Sequence, residues 1–313
     1  MADCTAIVFP GQGSQRVGMA SDFVSEYTES AAAFEEASDV LNFDVFYVCN
    51  TDDERLHLTE FTQPCILTAE IAMLRALRTH FSLDSTLYAG HSLGEYTALV
   101  AAGAMPFGVA LGLVRRRGQL MQNAVAPGVG AMVAISAPEP LDLAEIRERA
   151  AAGNVDVANE NSLTQVVLSG EAAAVHRMSE ELVESSPELK ATPLNVSAPF
   201  HSRLMAPVEP PFRAALEEAR PQLRADAATN VASNFLGTFY SGDSDELIDG
   251  LTRQVSGAVR WVDNMRALGK AAKTIVEVGP NRPLRRFFGT LDIAVQSVID
   301  MRSAGRLRLE EEV

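Results

Sequence analysis

The 313-residue chain contains three cysteines, Cys4, Cys49 and Cys65. An odd, widely spaced trio supplies neither a disulfide framework nor metal-ligand spacing. Small disulfide scaffolds and zinc modules are therefore excluded, and a reducing, cytoplasmic setting is expected. Aromatic residues are few, at 6%, with a single tryptophan. Basic residues are also scarce: 26 Lys and Arg stand against 41 Asp and Glu, a formal net charge of −15. Nucleic acid is not an expected partner, because phosphate binding needs a positive surface. The start, MADCTAIVFPGQG, lacks a basic segment and a long apolar run, so no secretory leader is expected. One uncharged run, Tyr96 to Val114, is long enough to span a bilayer. Gly103, Pro106 and Gly108 interrupt it, which fits a buried helix, a turn and a second helix better than a membrane segment.

What remains is ordinary globular composition, 47% hydrophobic and 21% charged. The length suits about two domains, or one large α/β domain with an insertion. "TAIVFPGQGSQ" reads as a short buried strand (Thr5 to Phe9) running into a glycine-rich loop. Helical periodicity follows at 22–38 and 64–81, then a strand "STLYAG" and a helix "LGEYTALVAAG". Strand, loop, helix, strand, helix is the order of a parallel α/β sheet. From Gly128 the order becomes β-α-β-β-α-β: "GAMVAIS", "LDLAEIRERAA", "VDVANEN", "TQVVLSG", "AAVHRMSEELVESS" and "KATPLNVS". That is the ferredoxin-like unit, placed at residues 128–197. A helix at 204–218, a strand at 229–234, a helix at 244–268 and a strand "TIVEVG" are expected to return to the first sheet. Residues 1–127 and 198–302 thus form a large subdomain, and 303–313 a charged, frayed tail.

Gly90-His91-Ser92-Leu93-Gly94 lies between an expected strand and an expected helix, the setting of a nucleophile elbow. The helix start offers unpaired N–H groups, so an oxyanion formed at Ser92 would meet the N–H of Leu93. A turn serine or helix cap is the competing reading. A serine needs a base. Of the five histidines, His57 and His80 lie in polar segments, His176 lies on an amphipathic helix, and His91 is the serine's neighbour, whose side chain diverges from it. His201, in "NVSAPFHSRLM", sits where the chain returns to the large subdomain and is the candidate base; a hydrogen-bonded loop histidine is the alternative.

The segments "FPGQGSQ", "TQP", "GHSLGEYTALVAAG", "RRRGQLMQ", "GAMVAI", "NENSLTQVVLSG", "FHSRLM" and "VEVGP" occur in this order between about residues 5 and 290. Together they resemble the malonyl-CoA:acyl carrier protein transacylase family, which includes fatty-acid malonyltransferases and polyketide synthase acyltransferases. The resemblance implies an α/β-hydrolase-like large subdomain with an inserted ferredoxin-like small one. It implies Ser92 as acyl-accepting nucleophile and His201 as general base and acid. It implies the backbone carbonyl of Gln254 as the group orienting the imidazole, and the N–H groups of Gln12 and Leu93 as the oxyanion hole. Arg117 would clamp the malonyl carboxylate. Arg115, Arg116 and Arg117 point about 100° apart on a helix, so only one should face a pocket, and the family pattern selects the arginine before Gly118. Gln63, His91, Phe200 and Asn161, with Asn159 as the nearby alternative to Asn161, would line the substrate site. Phe200 before His201 leans toward malonyl-specific polyketide-type enzymes.

No bound cofactor or metal is implied: the CoA thioester is substrate, and phosphopantetheine arrives on the carrier protein. Because carrier proteins are acidic, Arg203, Arg282, Arg285 and Arg286 are candidates for a local positive docking patch. A monomer is the default expectation. The runner-up function is a hydrolase of the same fold that clears stalled acyl groups from carrier proteins. Arg117 argues against it, since a non-carboxylated acyl group would leave a buried cation unpaired. A non-enzymatic docking module would not need the Ser–His pair, and a generic esterase would need an acid that no loop provides.

Overall fold

The computed structural model describes residues 4–308. Among them are ten strands: β1 (Thr5–Phe9), β2 (Leu87–Gly90), β3 (Gly130–Ser136), β4 (Asp156–Ser162), β5 (Gln165–Glu171), β6 (Lys190–Pro193), β7 (Val231–Ser233), β8 (Thr238–Phe239), β9 (Thr274–Val278) and β10 (Gln296–Val298). Six form one sheet in the order β10-β9-β1-β2-β7-β8, parallel except for β8. The central strand β1 is buried on both sides, as the uninterrupted apolar run of a parallel strand requires. Ile7 and Phe9 point into one hydrophobic cluster, Ala6 and Val8 into the opposite one.

The other four strands form a separate antiparallel sheet in the order β4-β5-β3-β6. Helices Leu143–Ala152 and Ala172–Ser185 pack on it through a third cluster that includes Ile135, Ile146, Val166, Leu168, Val175 and Met178. The fold is therefore α/β, with a mainly parallel sheet and a ferredoxin-like antiparallel one. The antiparallel sheet is stitched to the segment before helix Trp261–Ala271 by backbone: Val259 N–H donates to Ala158 O at 2.8 Å, and Glu160 N–H to Val259 O at 2.9 Å.

Several segments depart from the pattern expected from sequence. The helix expected over 244–268 is two helices, Ser244–Arg253 and Trp261–Ala271, because the residues between them leave helical geometry to pair with β4. The expected helix at 22–38 is broken at Tyr27, and that at 64–81 begins earlier, as Thr59–His80. Ser303 is not frayed: it belongs to the helical turn Met301–Ala304, closed by a reciprocal cap with Asp300, and Arg308 pairs with Gln296 by two hydrogen bonds. Residues 309–313 of the expected tail lie outside those described. The uncharged run at 96–114 folds as parts of helices Gly94–Ala101 and Phe107–Gln122, and no helix among the described residues is long and apolar enough to cross a membrane.

Helix Phe107–Gln122 touches the start of helix Thr59–His80 at Gly118, where an added Cβ would stand 2.7 Å from Glu60 Cα and 2.8 Å from the Thr59 carbonyl oxygen. That approach is what brings Arg117 beside Gln63. Gly118→Ala should force the helices apart and lower stability by about 1–3 kcal/mol, the usual cost of overpacking. Thermal unfolding would show this as a lower Tm, and an unchanged Tm would mean the helices yield freely.

Candidate active site

Strand β2 ends at Gly90 and the chain turns sharply into helix Gly94–Ala101. The turn works because both glycines lack a Cβ. One at Gly90 would overlap the Gly94 carbonyl carbon at 1.8 Å, and one at Gly94 would lie 2.3 Å from the Phe9 carbonyl oxygen. Ser92, at the apex, is held at φ 53°, a left-handed conformation uncommon for a residue with a side chain. His201 sits after β6, before the turn Arg203–Val208, and is likewise left-handed at φ 55°.

These two loops bring Ser92 Oγ within 2.8 Å of His201 Nε2. On the far side of the ring, Nδ1 lies 2.7 Å from the Gln254 carbonyl oxygen. A carbonyl only accepts, so Nδ1 carries the proton and Nε2 is left to accept from Ser92. No carboxylate contacts this imidazole among the described residues. Burial, and next the positive charge of Arg117, push the His201 pKa down to about 3. The ring is a neutral base across the whole ordinary pH range.

Arg117 is 1% exposed. Its Nη1 donates to Gln63 Oε1 at 3.0 Å, and its Nη2 to Ser92 Oγ at 3.1 Å and to Gln254 Oε1 at 3.0 Å. The Tyr96 ring lies under the guanidinium, 5.7 Å away. Nε has no acceptor, and no carboxylate lies within salt-bridge distance, among the described residues. Of its helix neighbours, Arg116 is exposed and Arg115 stacks on Phe43 and Phe61. The arginines thus diverge as helical spacing requires.

Ser92, His201, Arg117 and Gln63 line one end of a cavity of about 120 Å³. Met121, Met132, Leu194, Val196 and Phe200 form its apolar wall, and Gln12, His91 and Asn159 complete it. The backbone N–H groups of Gln12 and Leu93 meet no acceptor among the described residues, so two donors beside the serine stand uncommitted.

Other expected site residues lie elsewhere. Asn161 does not line the cavity; its Oδ1 lies 2.7 Å from His91 Nε2 and its amide bonds Gln165, while Asn159 takes the wall position. Strand alternation explains this, since residues two apart share a face only in a regular strand and β4 carries bulges at both 157/159 and 160/162. His91 keeps its expected place on the cavity wall, its ring 5.6 Å from that of Trp261. Arg203 is engaged by Asp156 at 2.8 Å and by Asn154, so its charge is balanced locally. Arg282, Arg285 and Arg286 are exposed and carry no ion pair among the described residues. No cluster of three or more potential metal ligands occurs among the described residues.

Three participants escape a reading by motif: Glu95, Asn234 and Tyr240. Asn234 Oδ1 accepts from the Ser92 N–H at 2.6 Å, and Glu95 accepts from Asn234 N–H, Gln254 Nε2 and the Tyr240 hydroxyl. The signal for Glu95 was present as a lone acid at the head of an otherwise uncharged helical stretch. Asn234, at the end of a strand, carries no such mark.

An acyl transferase domain model matches residues 6–286. The chain is 37% identical over 306 residues to a malonyl CoA-acyl carrier protein transacylase from Haemophilus influenzae, covering 95% of this chain and 96% of that protein. The structure of an acyl-carrier-protein S-malonyltransferase from Burkholderia pseudomallei superposes with a TM-score of 0.90 at 37% identity, covering 97% and 98% of the two chains. A malonyl-transacylase solved with its type II PKS acyl-carrier protein gives a TM-score of 0.87 at 34% identity, covering 96% and 97%. The chain belongs to the acyl transferase family.

Proposed function

We propose that this protein transfers a malonyl group from malonyl-CoA to the phosphopantetheine thiol of an acyl carrier protein, through a malonyl ester on Ser92. The observation that carries the reading is Arg117: a dry guanidinium with no carboxylate within salt-bridge distance among the described residues, 3.1 Å from a serine hydroxyl bonded to a neutral imidazole. A substrate carboxylate would supply a directly bonded anion, and its far end would then place a thioester carbon at Ser92 Oγ. A hydrolase of neutral acyl groups would make no use of a guanidinium lining the cavity.

The steps follow from proton positions. His201 Nε2 accepts the Ser92 proton as Oγ attacks the thioester carbonyl. Negative charge on the carbonyl oxygen is met by the N–H groups of Gln12 and Leu93. Nε2–H then gives its proton to the departing CoA sulfur. The carrier-protein thiol enters, loses its proton to Nε2, attacks the ester and restores Ser92 Oγ–H. Phe200 fills space that a branched malonyl would need. This chemistry calls for no bound cofactor. Free thiols at Cys4, Cys49 and Cys65 suit a cytoplasmic setting, and we take the working unit to be a monomer.

An acidic carrier protein must approach a chain of net charge −15. Helix Pro283–Gly289 offers Arg285 and Arg286, exposed and without an ion pair among the described residues, and its Phe287 ring lies 6.3 Å from His91. We assign the docking patch to this helix and Arg282, without Arg203.

Brief incubation with malonyl-CoA should add one malonyl mass to the intact protein, lost in Ser92→Ala. Arg117→Ala should slow malonyl loading by roughly 100-fold, the worth of two hydrogen bonds to a charged group. Release of free CoA without an adduct would favour the hydrolase. The low His201 pKa fixes a sign as well. As pH falls from 7.5 to 5.5, kcat/KM for loading should hold nearly level, where an ordinary histidine would lose about tenfold by protonation. A loss of that size would place the His201 pKa in the normal range. Charge reversal, Arg285→Glu with Arg286→Glu, should raise KM for carrier protein and leave loading from malonyl-CoA unchanged; an unaltered KM would remove this helix from docking.

A further inference from the structure

The transfer steps leave one buried carboxylate at the site unused. Glu95 has 0% exposure and stands one turn after Ser92. Its Oε2 receives the Gln254 side-chain amide at 2.7 Å and the backbone N–H of Asn234 at 3.0 Å, and its Oε1 meets the Tyr240 hydroxyl.

The polarity of this network can be worked out from one end. A guanidinium only donates, so the Gln254 atom 3.0 Å from Arg117 must be the amide oxygen. The other end of that amide is then NH₂, and it donates to Glu95 Oε2 and, at 3.0 Å, to the Ser92 carbonyl. A backbone N–H also only donates. Oε2 thus faces two obligate donors and has no place for a proton. Asn234 completes the grip: its Oδ1 holds the Ser92 N–H, and its Nδ2 donates to the Gly90 carbonyl at 2.7 Å. Both backbone polar groups of the left-handed serine are therefore held by residues that converge on Glu95 Oε2. The backbone carbonyl of the same Gln254 orients His201.

We propose that Glu95 is the ionised counter-charge of Arg117, linked to it through the Gln254 amide, and the positioning residue that keeps Ser92, His201 and Arg117 in one register. A neutral resting pair explains how the guanidinium stays dry before any substrate carboxylate arrives. What Arg117 is for rests on the malonyl reading; the pairing itself does not.

Equilibrium unfolding of the intact protein tests the pairing without substrate, so its outcome is independent of the transacylase reading. Glu95→Gln and Arg117→Met should each lower Tm, one leaving a cation and the other an anion unbalanced. The double variant should unfold at a higher Tm than Arg117→Met alone. A double variant whose Tm loss equals the sum of the single losses would overturn the proposal, because a glutamate that merely fills space would give that sum. Should Glu95→Gln fail to fold, Arg117→Met and the double variant still decide. Burial already raises the Glu95 carboxyl, and without its cation it is raised further above its unfolded value, so Arg117→Met is favoured at low pH and loses stability as pH rises. Its Tm deficit against the parent should widen with rising pH by more than that of the double variant, which lacks the carboxyl, and equal pH dependence in the two variants would overturn the proposal. The titratable groups facing the pair are Tyr96, Tyr240 and His201: burial keeps both tyrosines neutral, and His201 loses the depressing charge of Arg117 in both variants alike, so its response cancels between them. Glu70 and Glu277 titrate alike in both proteins and drop out of the difference.

Discussion

A guanidinium sealed from water is the constraint around which the rest of this site is arranged. Isolated charge inside a protein is among the costliest things a fold can hold, so its donors must be met by oriented dipoles. Gln63, Gln254 and Ser92 supply them, each from a different element: the long buried helix Thr59–His80, the break between two helices, and the elbow. Holding three segments on one side chain to hydrogen-bond accuracy demands close packing, which is why Gly118 lets two helices nearly touch. Burial, and after it the same charge, depresses the basicity of His201, so the acceptor of the serine proton stays unprotonated.

The cavity occupies the seam between the two sheets. The elbow extends from the carboxyl end of a parallel strand, where such sheets leave room for loops. The antiparallel sheet contributes Met132 and Asn159, and the chain returning from it contributes Leu194, Val196 and Phe200 before delivering His201. The largest hydrophobic cluster runs from one sheet to the other, joining Met132, Ala134, Ala158 and Val167 to Ile7 and Phe9, and the cavity is what their meeting encloses. Backbone pairing at Val259 sets that meeting at a fixed register and in the same stroke breaks the helix that would otherwise continue through Gln254.

Much of this was legible in the chain, and the limits have physical reasons. Ser92 was visible because two glycines flank it between a strand and a helix, a local arrangement that local sequence can report. The ferredoxin-like order was visible because its strands and helices alternate cleanly in hydrophobic period. Arg117 could be narrowed only to one of three arginines by helical spacing; the resemblance to a family chose among them. The break at 254–260 was hidden because its cause is a strand some hundred positions earlier, and periodicity carries no knowledge of distant pairing. Asn161 and Asn159 were exchanged because bulges in β4 upset simple alternation. Arg203 read as free charge, since nothing in sequence announces that Asp156 lies across from it. Glu95 and Asn234 are the clearest case: their partners are backbone groups, which have no letter in the sequence.

Ser92 and His201 share one further property, a left-handed backbone. Each such residue gives up about 1–2 kcal/mol relative to ordinary geometry. Glycine would relieve the strain at either position, but at Ser92 it would take an acceptor from Arg117, and at His201 it would leave a cavity. The two side chains that face one another across 2.8 Å are thus kept in a strained backbone by the buried contacts they themselves make.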